Sequence, residues 1–199
     1  MLIAFEGGEG TGKSTQAARL AERLGAVLTR EPGGTTIGGR IRALVLDPAN
    51  HELADRAEAL LMAADRAQHV AEVIRPALAA GRVVVTDRFA GSSLAYQSYG
   101  RGLPLDEVER ISRWATDGVW PDLVVLLDVP EAVADQRLGA ERDRMEGAGD
   151  GFHQRVVAGF RALAAADPER WVVLDGTGTV DDVAARVWAA VAPRLDGRR

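Results

Sequence analysis

The chain has 199 residues, a hydrophobic content of 47% and no cysteine, so it can bury the core of one domain but cannot form disulfides or use thiol chemistry. Its formal net charge of −5 argues against a broad nucleic-acid-binding face, so a polyanionic ligand must meet a local cluster of arginines. We see no basic, signal-like region before the apolar run 1–5 and no stretch of about 18 apolar residues, so we expect a cytoplasmic protein without a signal peptide or membrane span.

The hydrophobic pattern predicts strands and helices that alternate along the chain, which is typical of a parallel sheet covered by helices on both faces. Strands are predicted at 2–6, 26–30, 82–86, 122–128 and 170–174. Helices are predicted at 13–24, 37–46, 52–80, 93–99, 104–117, 152–166 and 180–195, with one more leading into residue 139. Pro76 lies near the end of the long helix 52–80 and is expected to kink it or end it early.

The segment 139–151 differs from the rest of the chain because it combines charged residues and glycines without any apolar periodicity. A segment of this composition has no face to bury against the core. We therefore predict a short mobile segment here, within a single domain that spans residues 1–199.

Lys13 is the only lysine among 24 basic residues, and it stands in the segment GGEGTGKS that ends at Ser14. The spacing G-x-x-x-x-G-K-[ST] between a strand and a helix is that of a phosphate-binding P-loop. We expect loop N–H groups to bind phosphates, Lys13 to reach the β and γ phosphates, and Ser14 to ligate Mg²⁺. A chance match in a chain with 22 glycines is the alternative. The predicted ATP-binding loop residues are Gly7, Gly8, Glu9, Gly10, Thr11, Gly12, Lys13, Ser14 and Thr15.

Asp87 follows the apolar strand predicted at 82–86, in the manner of the aspartate that holds Mg²⁺ in such proteins. The predicted metal site is therefore Ser14 with Asp87. An ordinary turn residue at a strand end is the alternative for Asp87. Asp128 also ends a predicted strand, and a capping role before Pro130 is as well supported there as a ligand role.

Several segments together resemble bacterial thymidylate kinases over about residues 1–175. The segment REPGGT at 30–35 and a tyrosine eight residues after Arg88 make this resemblance more specific than the loop alone. The resemblance implies a P-loop NTPase fold, a homodimer, and transfer of the γ-phosphate of Mg·ATP to dTMP. The segments that carry it are Phe5–Thr15, Thr29–Thr35, Asp87–Phe89 with Tyr96 and Gln97, Asp122–Leu123 and Leu127–Val129.

The resemblance also implies a binding site for dTMP. An acidic residue at position 9 would lie near the sugar and phosphate, two arginines would hold the monophosphate and base, and a tyrosine would exclude a ribose 2′-hydroxyl. Met62 occupies the position where the family usually stacks a phenylalanine on thymine. Each of four positions has an alternative interpretation. Glu9 could be a solvent-facing loop residue and Arg66 a surface arginine. Arg88 could form a salt bridge, and Tyr96 could be a core aromatic. The implied set is Glu9, Met62, Arg66, Arg88, Ser93, Tyr96 and Gln97.

The phosphate loop contains no arginine, and relatives of this kind supply the catalytic arginine from a lid. Segment 139–151, interpreted as that lid, offers Arg144 as the first candidate and Arg142 as the second, and a solvated loop is the alternative. Arg137 would flank the adenine or the phosphates. The predicted catalytic set is Lys13, Arg144, Arg142, Arg88 and Glu9.

Two other functions compete with this hypothesis. One is a P-loop kinase for another nucleoside monophosphate or small acceptor, and the other is a non-catalytic ATP-binding subunit. A GTPase switch needs an Asn-Lys-x-Asp clamp, which a chain with one asparagine and one lysine cannot form. A nucleic-acid motor is disfavoured because the chain is short and acidic.

Overall fold

The computed structural model describes residues 1–137 and 143–196. Its centre is a five-stranded parallel sheet with strand order β2-β3-β1-β4-β5. The strands are β1 (Leu2–Glu6), β2 (Val27–Arg30), β3 (Val84–Asp87), β4 (Leu123–Asp128) and β5 (Trp171–Asp175). All five predicted strands and the parallel sheet are confirmed; the first strand matches its predicted bounds, and the ends of the others differ by at most two residues.

The helices follow the predicted order, and the first one matches its predicted bounds. They are α1 (Lys13–Leu24), α2 (Thr36–Leu46), α3 (Asp55–His69), α4 (Arg75–Ala79), α5 (Ala90–Ser93), α6 (Leu105–Thr116), α7 (Glu131–Arg137), α8 (Asp150–Ala166) and α9 (Val180–Asp196). A 3₁₀ turn covers Pro48–Asn50.

The predicted long helix 52–80 corresponds to a helical run from Asp55 to Ala79, and the middle of this run is not α-helical. A π-helical turn at Val70–Ile74 joins α3 to α4, which has Pro76 in its first turn. Pro76 has no N–H to donate, and the wider turn ahead of it accommodates the lost bond. A second π-helical stretch, Leu94–Gly100, continues α5 where an ordinary helix was predicted at 93–99.

Apolar side chains alternate across the strands and build a core on each face of the sheet. Ile3 and Phe5 of β1 pack towards α1 and α9, whereas Leu2 and Ala4 pack towards Ile74 and its neighbours. A third cluster, around Phe152 and Phe160 of α8, includes Leu126 of β4. Helices therefore cover both faces, as predicted.

The described part of the chain contains no helix that is both long enough and apolar enough to cross a membrane. Parallel strands all end at the same edge of the sheet, and Phe5 of β1 pairs with Asp87 of β3 and Val125 of β4. The residues that follow β1, β3 and β4 therefore meet at this edge, where ligands bind in folds of this kind.

Candidate active site

The loop between β1 and α1 fits tightly against its neighbours. Gly7 and Gly10 have φ angles of 142° and 70°. A Cβ atom on Gly7 would lie 2.6 Å from the carbonyl oxygen of Leu127, and one on Gly10 would lie 2.4 Å from that of Ala134. Glycine is therefore required at both positions, and the loop is fixed against β4 and α7.

Lys13 begins α1 and folds back into this loop. Its ammonium group donates to the carbonyl of Gly8 and to the Thr11 hydroxyl, the latter at 3.3 Å. Burial, and then the charge of Arg88, lowers the pKa of Lys13 to about 8. A buried cation whose partners are neutral oxygens gains a great deal when a phosphate replaces them.

Ser14 and Asp87 meet as the predicted metal site requires. The Ser14 hydroxyl donates to Asp87 Oδ2, while Asp87 Oδ1 is buried without a hydrogen-bond partner. An unpaired buried carboxylate oxygen is costly, and a hydrated divalent cation would satisfy it. The donor set, one hydroxyl and one carboxylate beside a phosphate loop, fits Mg²⁺.

Glu9, Arg88 and Tyr96 form one hydrogen-bonded group. Arg88 Nη2 lies 2.6 Å from Glu9 Oε1 and 3.1 Å from the Tyr96 hydroxyl, which itself donates to Glu9 at 2.8 Å. Burial alone would raise the pKa of Glu9, but Arg88 and Lys13 hold it at about 2. The Arg88 backbone lies in the left-handed region, with a φ of 69°. Glu9 is therefore an ionised partner of Arg88 rather than a solvent-facing loop residue.

Glu6, at the end of β1, supports the site from behind the turn that follows Arg88 and was not predicted as a site residue. Its carboxylate is 1% exposed and accepts hydrogen bonds from the N–H groups of Phe89 and Ser92 and from the Ser92 hydroxyl. Burial raises its pKa to about 7. Glu6 thus holds the turn that follows Arg88. A glutamate at the end of an otherwise apolar strand was the available signal.

Arg66 is buried in α3, so the alternative of a surface arginine is wrong. Its Nε donates to Glu31 at 2.8 Å, and its Nη2 donates to Phe89 O and Ser93 Oγ at 3.1 and 3.0 Å. Glu31 also accepts from His69 Nδ1 at 2.8 Å. Glu31 and His69 were not predicted as site residues, although Glu31 stands in the specific segment REPGGT.

One cavity of about 200 Å³ joins these groups. Arg30 and Arg42 also line it and were not predicted, although Arg30 begins the segment REPGGT; Arg42 stands in no motif. Burial lowers the pKa of Arg42, and Arg30 lowers it further. Five cationic side chains therefore line this cavity, although the chain as a whole is acidic. This is the local basic cluster that a polyanionic ligand needs in a chain of negative net charge. The predicted residues that line the cavity are Glu9, Lys13, Ser14, Met62, Arg66, Asp87, Arg88, Ser93, Tyr96 and Gln97.

A larger cavity of about 370 Å³ lies beside Glu9, between the end of β4, α7 and α8. Its lining is mostly apolar or acidic, and Arg161, its one arginine among the described residues, is paired with Asp128 at 2.9 and 3.0 Å. Size alone does not identify a nucleotide site, and the charge of the smaller cavity suits a phosphate far better.

The predicted lid arginines lie apart from the phosphate loop or outside the described residues. Arg144 donates to Glu58 and, at 2.7 Å, to the carbonyl of Val45, so its side chain is docked on α2 and α3. Arg142 lies outside the described residues. Arg137 lies near the loop, with hydrogen bonds to the carbonyls of Gly10 and Gly176 at 3.4 and 3.2 Å.

Comparison with known proteins identifies the family. The family model described as Thymidylate kinase matches residues 5–187. The chain belongs to the thymidylate kinase family. A thymidylate kinase of Synechococcus sp. (strain JA-2-3B'a(2-13)) is 52% identical over 202 residues, which cover 98% of this chain and 96% of the relative. One from Bifidobacterium longum (strain NCC 2705) is 49% identical and covers 96% and 95%.

A solved structure supports the same conclusion for the fold. The crystal structure of thymidylate kinase from Ehrlichia chaffeensis superposes with a TM-score of 0.81 at 31% identity, covering 96% of this chain and 98% of the other. The resemblance inferred from sequence, the thymidylate kinase family and its P-loop fold are therefore confirmed. None of these similarities favours the alternatives of an unrelated kinase or a non-catalytic subunit.

Proposed function

We propose that this protein transfers the γ-phosphate of Mg·ATP to dTMP, giving ADP and dTDP. The carrying observation is that Lys13, the Ser14–Asp87 pair and the Glu9–Arg88–Tyr96 group all line one cavity, in a chain of the thymidylate kinase family. A phosphate donor and a nucleotide acceptor can thus be held in one space, and holding two reactants in line is a large part of catalysis.

The ATP end consists of the phosphate loop, Gly7 to Thr15, with Arg137 beyond it. The loop N–H groups and the start of α1 would bind the phosphates, and Lys13 would exchange the Gly8 carbonyl for a phosphate oxygen. Ser14 and Asp87 would hold Mg²⁺, which would supply positive charge to offset the negative charge of the transferring phosphates. Arg137, anchored on Gly176, would flank the adenine.

The phosphate of dTMP would meet Arg88, with Arg42 and Arg30 on the same cavity wall. A guanidinium fork binds a phosphate dianion through two parallel hydrogen bonds. Tyr96 lies between Phe152 and Phe160, with ring centroids 6.0 and 6.1 Å away, so it cannot easily yield space. A rigid tyrosine at this point would exclude a ribose 2′-hydroxyl and so select deoxyribose.

The base of dTMP would occupy the end of the cavity that Met62, Arg66, Ser93 and Gln97 line. Met62 can pack its thioether against the thymine ring in place of an aromatic partner. The Ser93 hydroxyl accepts from Arg66, so its hydrogen remains available for a base carbonyl.

Arg144 and Arg142 remain the proposed sources of the transition-state arginine. In the structure, the Arg144 guanidinium donates to the carboxylate of Glu58. The catalytic role therefore requires Arg144 to leave Glu58 and to bind the transferring phosphoryl group. Lys13 and Arg88 would stabilise the same developing charge without such a movement.

We also propose that the protein is a homodimer. Leu44 of α2, Leu60 of α3 and Trp114 of α6 are 45%, 57% and 84% exposed, and these helices pack side by side. Large exposed apolar side chains on neighbouring helices are a feature of interaction surfaces. Sedimentation should therefore give a dimer that W114E weakens, whereas V180E, a change of a 48% exposed residue on α9, should not. A monomeric parent protein would contradict this. Cytoplasmic location and the single domain over 1–199 stay predictions.

The deciding experiment is ADP release from Mg·ATP with dTMP, dUMP, ribo-TMP, dCMP and dGMP tested separately. We expect turnover with dTMP well above that with dUMP, and almost none with the ribose form. Comparable or absent turnover with all five would reject the proposed acceptor.

A further inference from the structure

Glu58 is a fully buried carboxylate to which no role in phosphoryl transfer has been given. It lies on α3, one turn before Met62, and its side chain is 0% exposed. Three side chains donate to it: Gln97 Nε2 at 2.8 Å, Arg101 Nη2 at 3.0 Å, and Arg144 Nη2. Burial opposes its ionisation, but hydrogen bonds from Arg101, Gln97 and Arg144 together lower its pKa below the usual value.

An ionised carboxylate can only accept hydrogen bonds. The side-chain amide of Gln97 must therefore present its NH₂ group to Glu58, because the opposite orientation would bring two acceptors together. An acceptor-only partner therefore fixes the orientation of this amide on physical grounds.

The orientation of this amide decides which of its two polar atoms faces the cavity. Gln97 is 1% exposed and lines the acceptor cavity next to Ser93 and Arg66. With Nε2 turned to Glu58, the carbonyl oxygen Oε1 is the end left for the cavity, and among the described residues it has no hydrogen-bond donor. An acceptor that faces a binding cavity favours a ligand that supplies a donor to it.

Thymine supplies that donor at N3–H. Cytosine has a lone pair at the same atom, so it would face Oε1 with a second acceptor. We propose that Glu58 is a specificity-determining positioning residue, which fixes the polarity of Gln97 so that the site accepts bases with a donor at N3 and rejects bases with an acceptor there. This inference rests on the proposed function, because it assumes that the base occupies this end of the cavity.

The probe that isolates this effect is 5-methyl-dCMP, which keeps the methyl group, sugar and phosphate of dTMP and reverses only the hydrogen-bonding edge. In the unaltered protein we expect kcat/KM for dTMP to exceed that for 5-methyl-dCMP by at least about 100-fold, since a buried polar group left unpaired discriminates strongly. A ratio within about tenfold would overturn the inference without any variant.

The variant E58Q should lower that ratio by about tenfold or more, because an amide at position 58 can accept or donate and so frees Gln97 to turn. The double variant E58Q/Q97E again places an acceptor towards the base and should recover most of the ratio. A merely structural role for Glu58 would not give this rescue. An unchanged ratio in an E58Q protein that still phosphorylates dTMP would overturn the inference.

D55N is the matched control. Asp55 is on α3, like Glu58, and its carboxylate lies 3.6 Å from Arg101. Its side chain is 50% exposed, and the hydrogen bond of the Gln97 amide goes to Glu58 instead. The D55N ratio should equal that of the parent protein, and a fall as large as that of E58Q would contradict the role of Gln97. Turnover of dTMP by the parent protein tests the proposed function separately, because the ratio is measured only where that turnover exists.

Discussion

The two ends of the acceptor cavity are built in opposite ways. At the phosphate end, Lys13 is held by neutral oxygens and Asp87 keeps an unpaired oxygen, so charged groups retain capacity for a ligand. At the base end, the guanidinium of Arg66 donates to Glu31, Ser93 and other protein groups. The phosphate end can therefore stabilise the charge that develops during phosphoryl transfer, whereas the base end fixes the hydrogen-bond donors and the shape of the cavity.

This difference predicts which property each substitution alters. Changes at the phosphate end should lower kcat with little loss of stability, because the folded protein uses only part of the hydrogen-bonding capacity of these groups. Changes to Arg66 or Glu31 at the base end should lower stability and raise the KM for dTMP, because they break a buried hydrogen-bond network that also holds the fold together.

The largest expected effect is that of removing the charge of Lys13. K13M should lower kcat by about 10³-fold or more, since preorganised cations supply much of the stabilisation in phosphoryl transfer. K13R should also be strongly impaired, because a planar fork cannot replace a compact ammonium in the space between Gly8 and Thr11. Steady-state kinetics with circular dichroism as a folding check would measure this. A K13R enzyme within tenfold of the parent would contradict the geometric argument.

The next effect tests whether Arg144 leaves Glu58 during the reaction. If it moves to the transferring phosphoryl group, R144A should lower kcat by about 10³-fold and leave the KM for dTMP nearly unchanged. We expect that result, with a smaller loss in R142A as the second candidate. A preserved kcat with a raised KM for dTMP would show that Arg144 serves only the base end, as a partner of Glu58.

At the base end, E31Q should cost about 3–5 kcal/mol of unfolding free energy, because it leaves the buried charge of Arg66 without its anion. Denaturant unfolding would measure this. E109Q breaks an exposed pair with Arg113, 2.7 Å apart, and should cost no more than about 0.5 kcal/mol. Similar costs for the two variants would mean that the Glu31 network is not the stabilising element inferred here.

Local motifs predicted the phosphate loop and the proposed metal ligands, whereas the residues of the base end could be named only from the family resemblance. The loop, Lys13, Ser14 and Asp87 belong to motifs whose spacing is local, so they could be predicted. Arg88 and Tyr96 lie eight residues apart and came with the family resemblance.

Other features depend on contacts between distant residues, which no local pattern encodes. Arg144 meets Glu58, 86 residues earlier, and Arg66 meets Glu31, 35 residues earlier. The π-helical stretch Leu94–Gly100, which includes Tyr96 and Gln97, shares its apolar composition with an ordinary helix, so periodicity predicted only a helix there.

The smallest effect compares Glu6 with Glu9, two carboxylates three residues apart. Glu6 meets uncharged donors and has its pKa raised to about 7, whereas Glu9 meets cations and has its pKa held at about 2. Between pH 4.5 and 7, folded Glu6 keeps a proton that the unfolded chain has lost, so its contribution to stability falls as pH rises. The difference of about 2.5 pKa units corresponds to about 3 kcal/mol.

Substitution at each position should separate the two cases. E6Q removes a titrating group. Between pH 5 and 8, the fall in unfolding free energy should therefore be about 3 kcal/mol smaller for E6Q than for the parent protein. E9Q should run parallel to the parent over the same range, because Glu9 is ionised in both states there and its contribution is lost only as pH falls below about 4.5. Urea unfolding at several pH values measures both. If the unfolding free energy of E6Q instead fell with pH as steeply as that of the parent, the raised pKa of Glu6 would be contradicted. The three hydrogen bonds to Glu6 would then have to stabilise its charge as strongly as Arg88 and Lys13 stabilise the charge of Glu9.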